Sequence, residues 1–225
     1  MRRTMAKAAF HTALNLLFFA VIGTGLLALT YKMTHDTIAI SEENEKLKLI
    51  SQIAPTYTYD NKIMQDTVRV AADELLGTDE ATIIYRGRMH GKASIAVLQA
   101  VAPDGYGGKI ILIIAIHANE KIGGVRVVSH KETPGLGDYI EIAKDGWIDI
   151  FKGASLQSII EKDWKVRKDG GTFEYRAGAT ITPRAVLKAV RKVLQYFALH
   201  QEELFAEVPL AFLEKAGQAK IKGAI

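Results

Sequence analysis

The chain has 225 residues, of which 48% are hydrophobic and 24% charged, and its formal net charge is +4. These proportions fit one globular domain with a buried core plus appendages. The absence of cysteine excludes a disulfide framework, thiolate-bound zinc, a cysteine-ligated iron–sulfur cluster and a cysteine nucleophile, and the cations are too dispersed to form a nucleic-acid-binding stripe.

After a short basic N-terminus (1–11), Thr12–Tyr31 reads TALNLLFFAVIGTGLLALTY, without a single charge. Roughly 20 apolar residues cross a bilayer core as a helix. A buried core helix would show a polar face at helical spacing, and this stretch shows none. A cleaved signal peptide would have a shorter apolar run ending in small residues, whereas here Tyr31, Lys32 and Met33 follow. An uncleaved transmembrane helix at 12–31 is therefore expected. Arg2, Arg3 and Lys7 precede it, while Asp36, Glu42, Glu43 and Glu45 follow. This bias predicts a cytoplasmic N-terminus and an extracytoplasmic remainder.

Ile38, Ile40, Leu47, Leu49, Ile50 and Ile53, interleaved with charges, extend the helix as a stalk over 32–55, stopped by Pro55. Residues 56–80 show no clean period. Three β-like runs follow: Ala93–Val101, Lys109–His117 and Lys121–His130, with Asn119 and Glu120 as a hairpin turn. Apolar residues on both faces predict a sheet covered on both sides. Lys131–Asp138 is turn-rich, and short helices are expected around Trp147, Ile148 and Phe151. Trp164–Val166 reads as a further strand, and Lys168-Asp169-Gly170-Gly171 as a turn. The last firm element is a helix with Thr182 as N-cap and Pro183 as first residue, bearing Val186, Val190, Val193, Leu194 and Phe197 on one face. The domain is thus expected over 56–206 and a basic, weakly amphipathic tail over 207–225. The fold class is α+β: one N-terminal transmembrane helix, then a domain with a mainly antiparallel sheet and flanking helices.

Chemistry concentrates in EYRAGATIT, Glu174–Thr182. Gly178 and Ala179 leave room for close approach, and Thr180 stands just before a helix whose N-terminus suits a phosphate. The residues alone allow either a phosphate-linked threonine or a tight turn with hydroxyl caps. Thr133-Pro134-Gly135-Leu136-Gly137 is a stiff, narrow loop able to press against a flat ring, or an ordinary strand-to-helix connection. Asp104–Gly108 reads first as a turn, with Tyr106 as a further candidate near a ligand. The six histidines show no metal-ligand spacing, so no metal site is expected. No G-x-G-x-x-G opens a helix, and no Ser-His-Asp set can be argued; no catalytic residue is assigned.

The string AGATITPRAV, preceded by RKDGGTFEY, resembles the flavinylation site of the G subunit of Rnf electron-transport complexes. It is also similar to that of the C subunit of sodium-pumping NADH:quinone oxidoreductases. APDGYGG at Ala102–Gly108 and ETPGLGD at Glu132–Asp138 resemble the same family, in the expected order. The resemblance implies FMN joined to Thr180 by a phosphoester bond, made from FAD by a dedicated flavin transferase with magnesium. Gly178, Ala179, Thr182 and Thr133–Gly137 would form the flavin site. It implies a single-pass subunit in the inner membrane, partnered by other flavin and iron–sulfur subunits. Such a complex couples electron flow between ferredoxin and NAD to movement of sodium ions or protons. TITPRAV and the short chain favour Rnf over the quinone reductase. Ala177 stands where the family has Ser or Thr, and Glu174 where it has Asp; both lie beside the site that the transferase reads. The reading from a different class is a single-span sensor or binding module with a noncovalent ligand, in which Thr180 would be only a cap.

Overall fold

The computed structural model describes residues 2–206; the expected tail at 207–225 lies outside the described residues. Helix α1 runs from Arg2 to Ile53 and α2 from Ile181 to Phe205. Between them lie five strands: β1 Thr67–Val70, β2 Thr82–Met89, β3 Lys92–Gly105, β4 Gly108–His117 and β5 Ile122–Ser129. The chain divides into two compact units, the first ending at Leu47 and the second beginning at Lys48.

The first unit is helix alone. Its stretch Ala9–His35 is long and apolar enough to cross a membrane. Leu14, Leu16, Leu17, Phe18, Phe19, Leu26 and Leu27 are all exposed, so no protein surface covers them among the described residues. The hydroxyls of Thr30 and Thr34 donate to the carbonyls of Leu26 and Thr30, each at 2.9 Å. These hydroxyls are thus satisfied within the helix, as a lipid environment requires.

In the second unit the strands form an antiparallel meander in the order β1-β2-β3-β4-β5. Side chains alternate between faces with the two-residue period of a strand. Ala96, Leu98, Ala100, Leu112, Ile114 and Ile116 point to one face, where α2 packs with Val186, Val190, Val193, Leu194 and Phe197. The intervening Ile95, Val97, Ile113 and Ala115 point to the other, covered by Ile50, Ile53, Ala54 and Ile63. The last turn of α1 is therefore part of the domain core. Gly124 makes this possible, since a Cβ there would lie 2.8 Å from Ile53 Cγ2. Beside it the buried Arg126 donates to Gln52 Oε1 at 2.8 Å and to Asp149 Oδ1 at 2.7 Å.

The far end of α2 is also fixed. Arg86 donates to the carbonyls of Leu204 and Ala206, and Arg88 to that of Phe205. Asp66 accepts from both guanidinium groups, at 2.6 and 2.8 Å. Cations thus meet the partly negative C-terminal end of the helix.

Three strands and the long helix match the expected positions. β1 and β2 did not show as strands, because their residues are half-buried and carry Arg69, Arg86 and Arg88 among the apolar ones. Trp164–Val166 is not a strand. Trp164 and Val166 are buried, but only an isolated bridge joins Val166 to Phe173. Apolar residues two apart mark an inward-facing loop equally well when no neighbouring strand lies beside them. Thr182 is not the N-cap; α2 begins earlier, with Thr180 at the cap position.

Replacing Gly124 with Val should force Ile53 off the sheet. We expect destabilisation of about 1–3 kcal/mol from overpacking, read as a lower thermal midpoint of the detergent-solubilised chain; an unchanged midpoint would show that the α1 end is not packed there.

Candidate functional site

The connection after β5 turns back at Thr133–Gly137, where Leu136 and Gly137 donate their N–H groups to the Thr133 carbonyl at 3.1 and 2.9 Å. Gly135, at φ +74°, is a left-handed residue at the exposed tip. The β3–β4 turn brings Tyr106 to the same end of the sheet, and the 174–180 segment arrives there before α2 starts. A cleft of ≈ 140 Å³ lies between them, lined by Tyr106, Glu132, Thr133, Leu136, Gly137 and the segment Gly178–Thr182. The three motif strings, separated in sequence, therefore meet at one place. Pro134 and Gly135 are exposed and lie outside the lining.

The wall of the cleft includes Glu132, only 4% exposed. Its Oε1 accepts from Gly107 N–H at 2.9 Å, and its Oε2 accepts a short hydrogen bond from the Thr182 hydroxyl. Thr182 is itself buried. This is why it does not cap the helix: its hydroxyl is turned inward to the carboxylate. Gly137 has no room for a side chain, since a Cβ would sit 2.9 Å from Glu132 Oε2. Behind the loop, Glu132 N–H donates to His130 Nδ1 at 2.9 Å, and His130 Nε2 meets Glu141 Oε1 at 2.7 Å.

The 174–180 segment is stitched down by two aromatic side chains with polar tips. Trp147 Nε1–H donates to the Glu174 carbonyl at 2.7 Å, and the Tyr139 hydroxyl to the Ala179 carbonyl at 3.3 Å. Burial raises the Tyr139 pKa above its ordinary value, against an opposing pull from Arg176, so the hydroxyl is held as a donor. Arg176 lies over the Tyr139 ring, 5.4 Å from its centroid, and pairs with Asp145. Gly178 takes φ +89°, with Leu136 Cδ1 3.4 Å from where its Cβ would be. The Glu174 side chain points away to pair with Arg167 at 2.7 Å, both exposed.

Thr180 stands at the start of α2, half-buried on the cleft wall. Its hydroxyl makes no cap bond and no other side-chain hydrogen bond among the described residues. Two hydroxyls two residues apart thus have opposite fates: that of Thr182 is committed to Glu132, that of Thr180 is free at the cleft. Leu136, Tyr106 and Ile181, 46%, 67% and 47% exposed, form an apolar rim. Glu132 was not among the expected site residues, although it opens the string ETPGLGD; nothing in that string marks the acid as buried. No group of three or more His, Asp or Glu able to hold a metal occurs among the described residues.

These residues suit a phosphate-bearing flat ligand. The free hydroxyl of Thr180 and the start of α2 lie on one wall, Gly178 carries no side chain, and Leu136 offers an apolar surface.

Residues 105–195 match the model of the FMN-binding domain, and residues 3–53 match the RnfG N-terminal region. The G subunit of an ion-translocating oxidoreductase complex from Pseudomonas aeruginosa is 45% identical over 200 residues, covering 89% of this chain and 94% of the relative. Its counterpart from Aliivibrio fischeri (strain MJ11) is 42% identical over 204 residues, covering 91% and 95%. That from Shewanella oneidensis is 41% identical over 203 residues, covering 90% and 96%. With such identity along nearly the whole chain, and with the three motif strings gathered at one cleft, the chain belongs to the family of G subunits of ion-translocating oxidoreductase complexes.

Proposed function

We propose that this chain is the electron-transfer subunit of a membrane-bound, ion-translocating ferredoxin:NAD oxidoreductase, and that it carries FMN as a phosphoester on Thr180. The observation that carries the linkage is the Thr180 hydroxyl: unengaged, on the wall of the cleft that the three motif strings build, at the start of α2. FMN, when bound, supplies the redox chemistry, accepting and donating electrons.

The residues divide the remaining work. In the maturation step Thr180 Oγ forms the new bond to the FMN phosphorus of FAD, the pyrophosphate bond breaks, AMP leaves, and the hydroxyl proton goes to solvent. The exposed stretch from Arg176 to Gly178 leaves this threonine open to a flavin transferase. Gly178, Ala179 and the N–H groups of Ile181 and Thr182 would hold the phosphate end; Thr182 also fixes the wall through Glu132. Thr133, Leu136 and Gly137 would meet the ring, while Pro134 and Gly135 keep that loop in shape. The cleft, at ≈ 140 Å³, is smaller than the ~300–1,000 Å³ that encloses a drug-sized ligand. A covalent bond supplies the retention that enclosure does not. This chain would exchange electrons with flavin and iron–sulfur carriers in the other subunits, which are its partners.

We place the N-terminus in the cytoplasm and the domain in the periplasm, with the helix crossing the inner membrane. The support is the run of Arg2, Arg3 and Lys7 before the span and the acids after it. A noncovalent sensor and the C subunit of a quinone reductase are less well supported, because the relatives that match along nearly the whole chain are named as G subunits of ion-translocating complexes.

The wild-type chain, expressed with a flavin transferase, should exceed its sequence mass by one FMN less one water, and Thr180→Val should lose that mass while staying folded. An unchanged wild-type mass would overturn the linkage. A reporter active only in the periplasm, fused after Ile225, should give signal; signal from a cytoplasm-only reporter instead would reverse the orientation. Leu136→Asp should alter the flavin absorption spectrum or potential while the ester still forms; unaltered values would remove the loop from the flavin site.

A further inference from the structure

The geometry points to Glu132 as the residue whose buried negative charge sets the reduction potential of the flavin; this rests on FMN occupying the cleft at Thr180. Glu132 lines that cleft and is 4% exposed. No cation pairs with it among the described residues. Lys188 pairs with Asp104, Arg184 with Asp169, Arg176 with Asp145 and Arg126 with Asp149, and Lys131, the preceding residue, is exposed and forms no ion pair with Glu132 among the described residues. His130 meets Glu132 only through the backbone N–H.

Burying a carboxylate without a cation is costly. The scaffold does not require the charge. A glutamine in the same place satisfies the same partners: its oxygen accepts from Gly107 N–H, and its amide donates to the Thr182 oxygen. What the carboxylate adds beyond glutamine is therefore the charge itself, on the cleft wall next to Thr133 and Gly137, where the ring would lie. Reduction brings electrons to that occupant, and a nearby anion in a poorly polarisable wall opposes their arrival. Glu132 thus holds the potential down. The other acids around the cleft act weakly by comparison. Asp104 and Asp169 are exposed, paired and open to screening by salt. Asp138, also buried, is outside the lining.

The test uses the full chain, flavinylated and purified in detergent, with mass and midpoint potential measured at low and high salt. Glu132→Gln should carry FMN and show a raised midpoint potential, and the rise should survive high salt. Asp104→Asn should shift the potential little, and any shift should fade as salt increases. Thr182→Val, which removes a donor from the carboxylate, should move the potential, downward while the charge persists and upward where loss of the donor protonates the carboxyl, whereas Thr182→Ser, which keeps the donor, should retain the wild-type value. This pair stands as the test if Glu132→Gln fails to take up FMN. A wild-type potential in flavinylated Glu132→Gln, or in Thr182→Val, overturns the assignment. Absence of FMN mass on the wild-type chain overturns instead the flavin reading on which it rests.

Discussion

A buried carboxylate, Glu132, holds together stretches that lie far apart in the chain. It accepts from Gly107 in the β3–β4 turn and from Thr182 in the first turn of α2, and it belongs itself to the loop after β5. These contacts span 25 and 50 residues of sequence. The approach is tight enough to dictate glycine nearby. A Cβ on Gly107 would lie 1.8 Å from the Lys131 carbonyl oxygen, and one on Gly137 would meet the carboxylate itself. An acid so placed must be fully hydrogen-bonded, and meeting that demand fixes the position of each loop relative to the others. The walls of the cleft therefore form one unit rather than three independent loops.

The unit rests on a rigid base. Helix α2 buries one face on the sheet, while its carbonyl end is held by Arg86 and Arg88 and its start is held by Thr182. Thr180 is thus placed by a 25-residue helix fixed along its length, and sites built on such elements hold their geometry better than sites on loops. The opposite face of the sheet is closed by the last turn of α1. The same helix carries the apolar stretch Ala9–His35 and supplies Ile50 and Ile53 to the core, so one element serves both as membrane-type segment and as part of the domain.

The division of labour between Thr180 and Thr182 follows from which hydroxyl each helix position turns toward Glu132. Two residues apart on a helix, side chains point in different directions. One hydroxyl is therefore consumed in holding the wall, and its neighbour is left at the mouth. On the flavin reading, this is how a single short string both builds the site and offers the atom that carries the cofactor.

Much was legible in the sequence because it depends on local pattern. An uncharged apolar run fixes a membrane-type helix, alternating and continuous apolar runs fix β3, β4 and β5, and the spacing of Val186, Val190, Val193, Leu194 and Phe197 fixes α2. The motif strings marked the site segments, Thr180 among them. Other features exist only once the chain is folded. β1 and β2 are strands because β3 gives their backbones partners, not because their residues alternate cleanly. Trp164 and Val166 point inward like strand residues, yet no neighbouring strand lies beside them. The helix start moved ahead of Thr182, since the choice between capping and bonding to Glu132 depends on a carboxylate 50 residues away. Glu132 opens the string ETPGLGD, but its part in the site was not legible there for the same reason: its burial and its bonds to Gly107 and Thr182 are properties of the packed structure that no local string records.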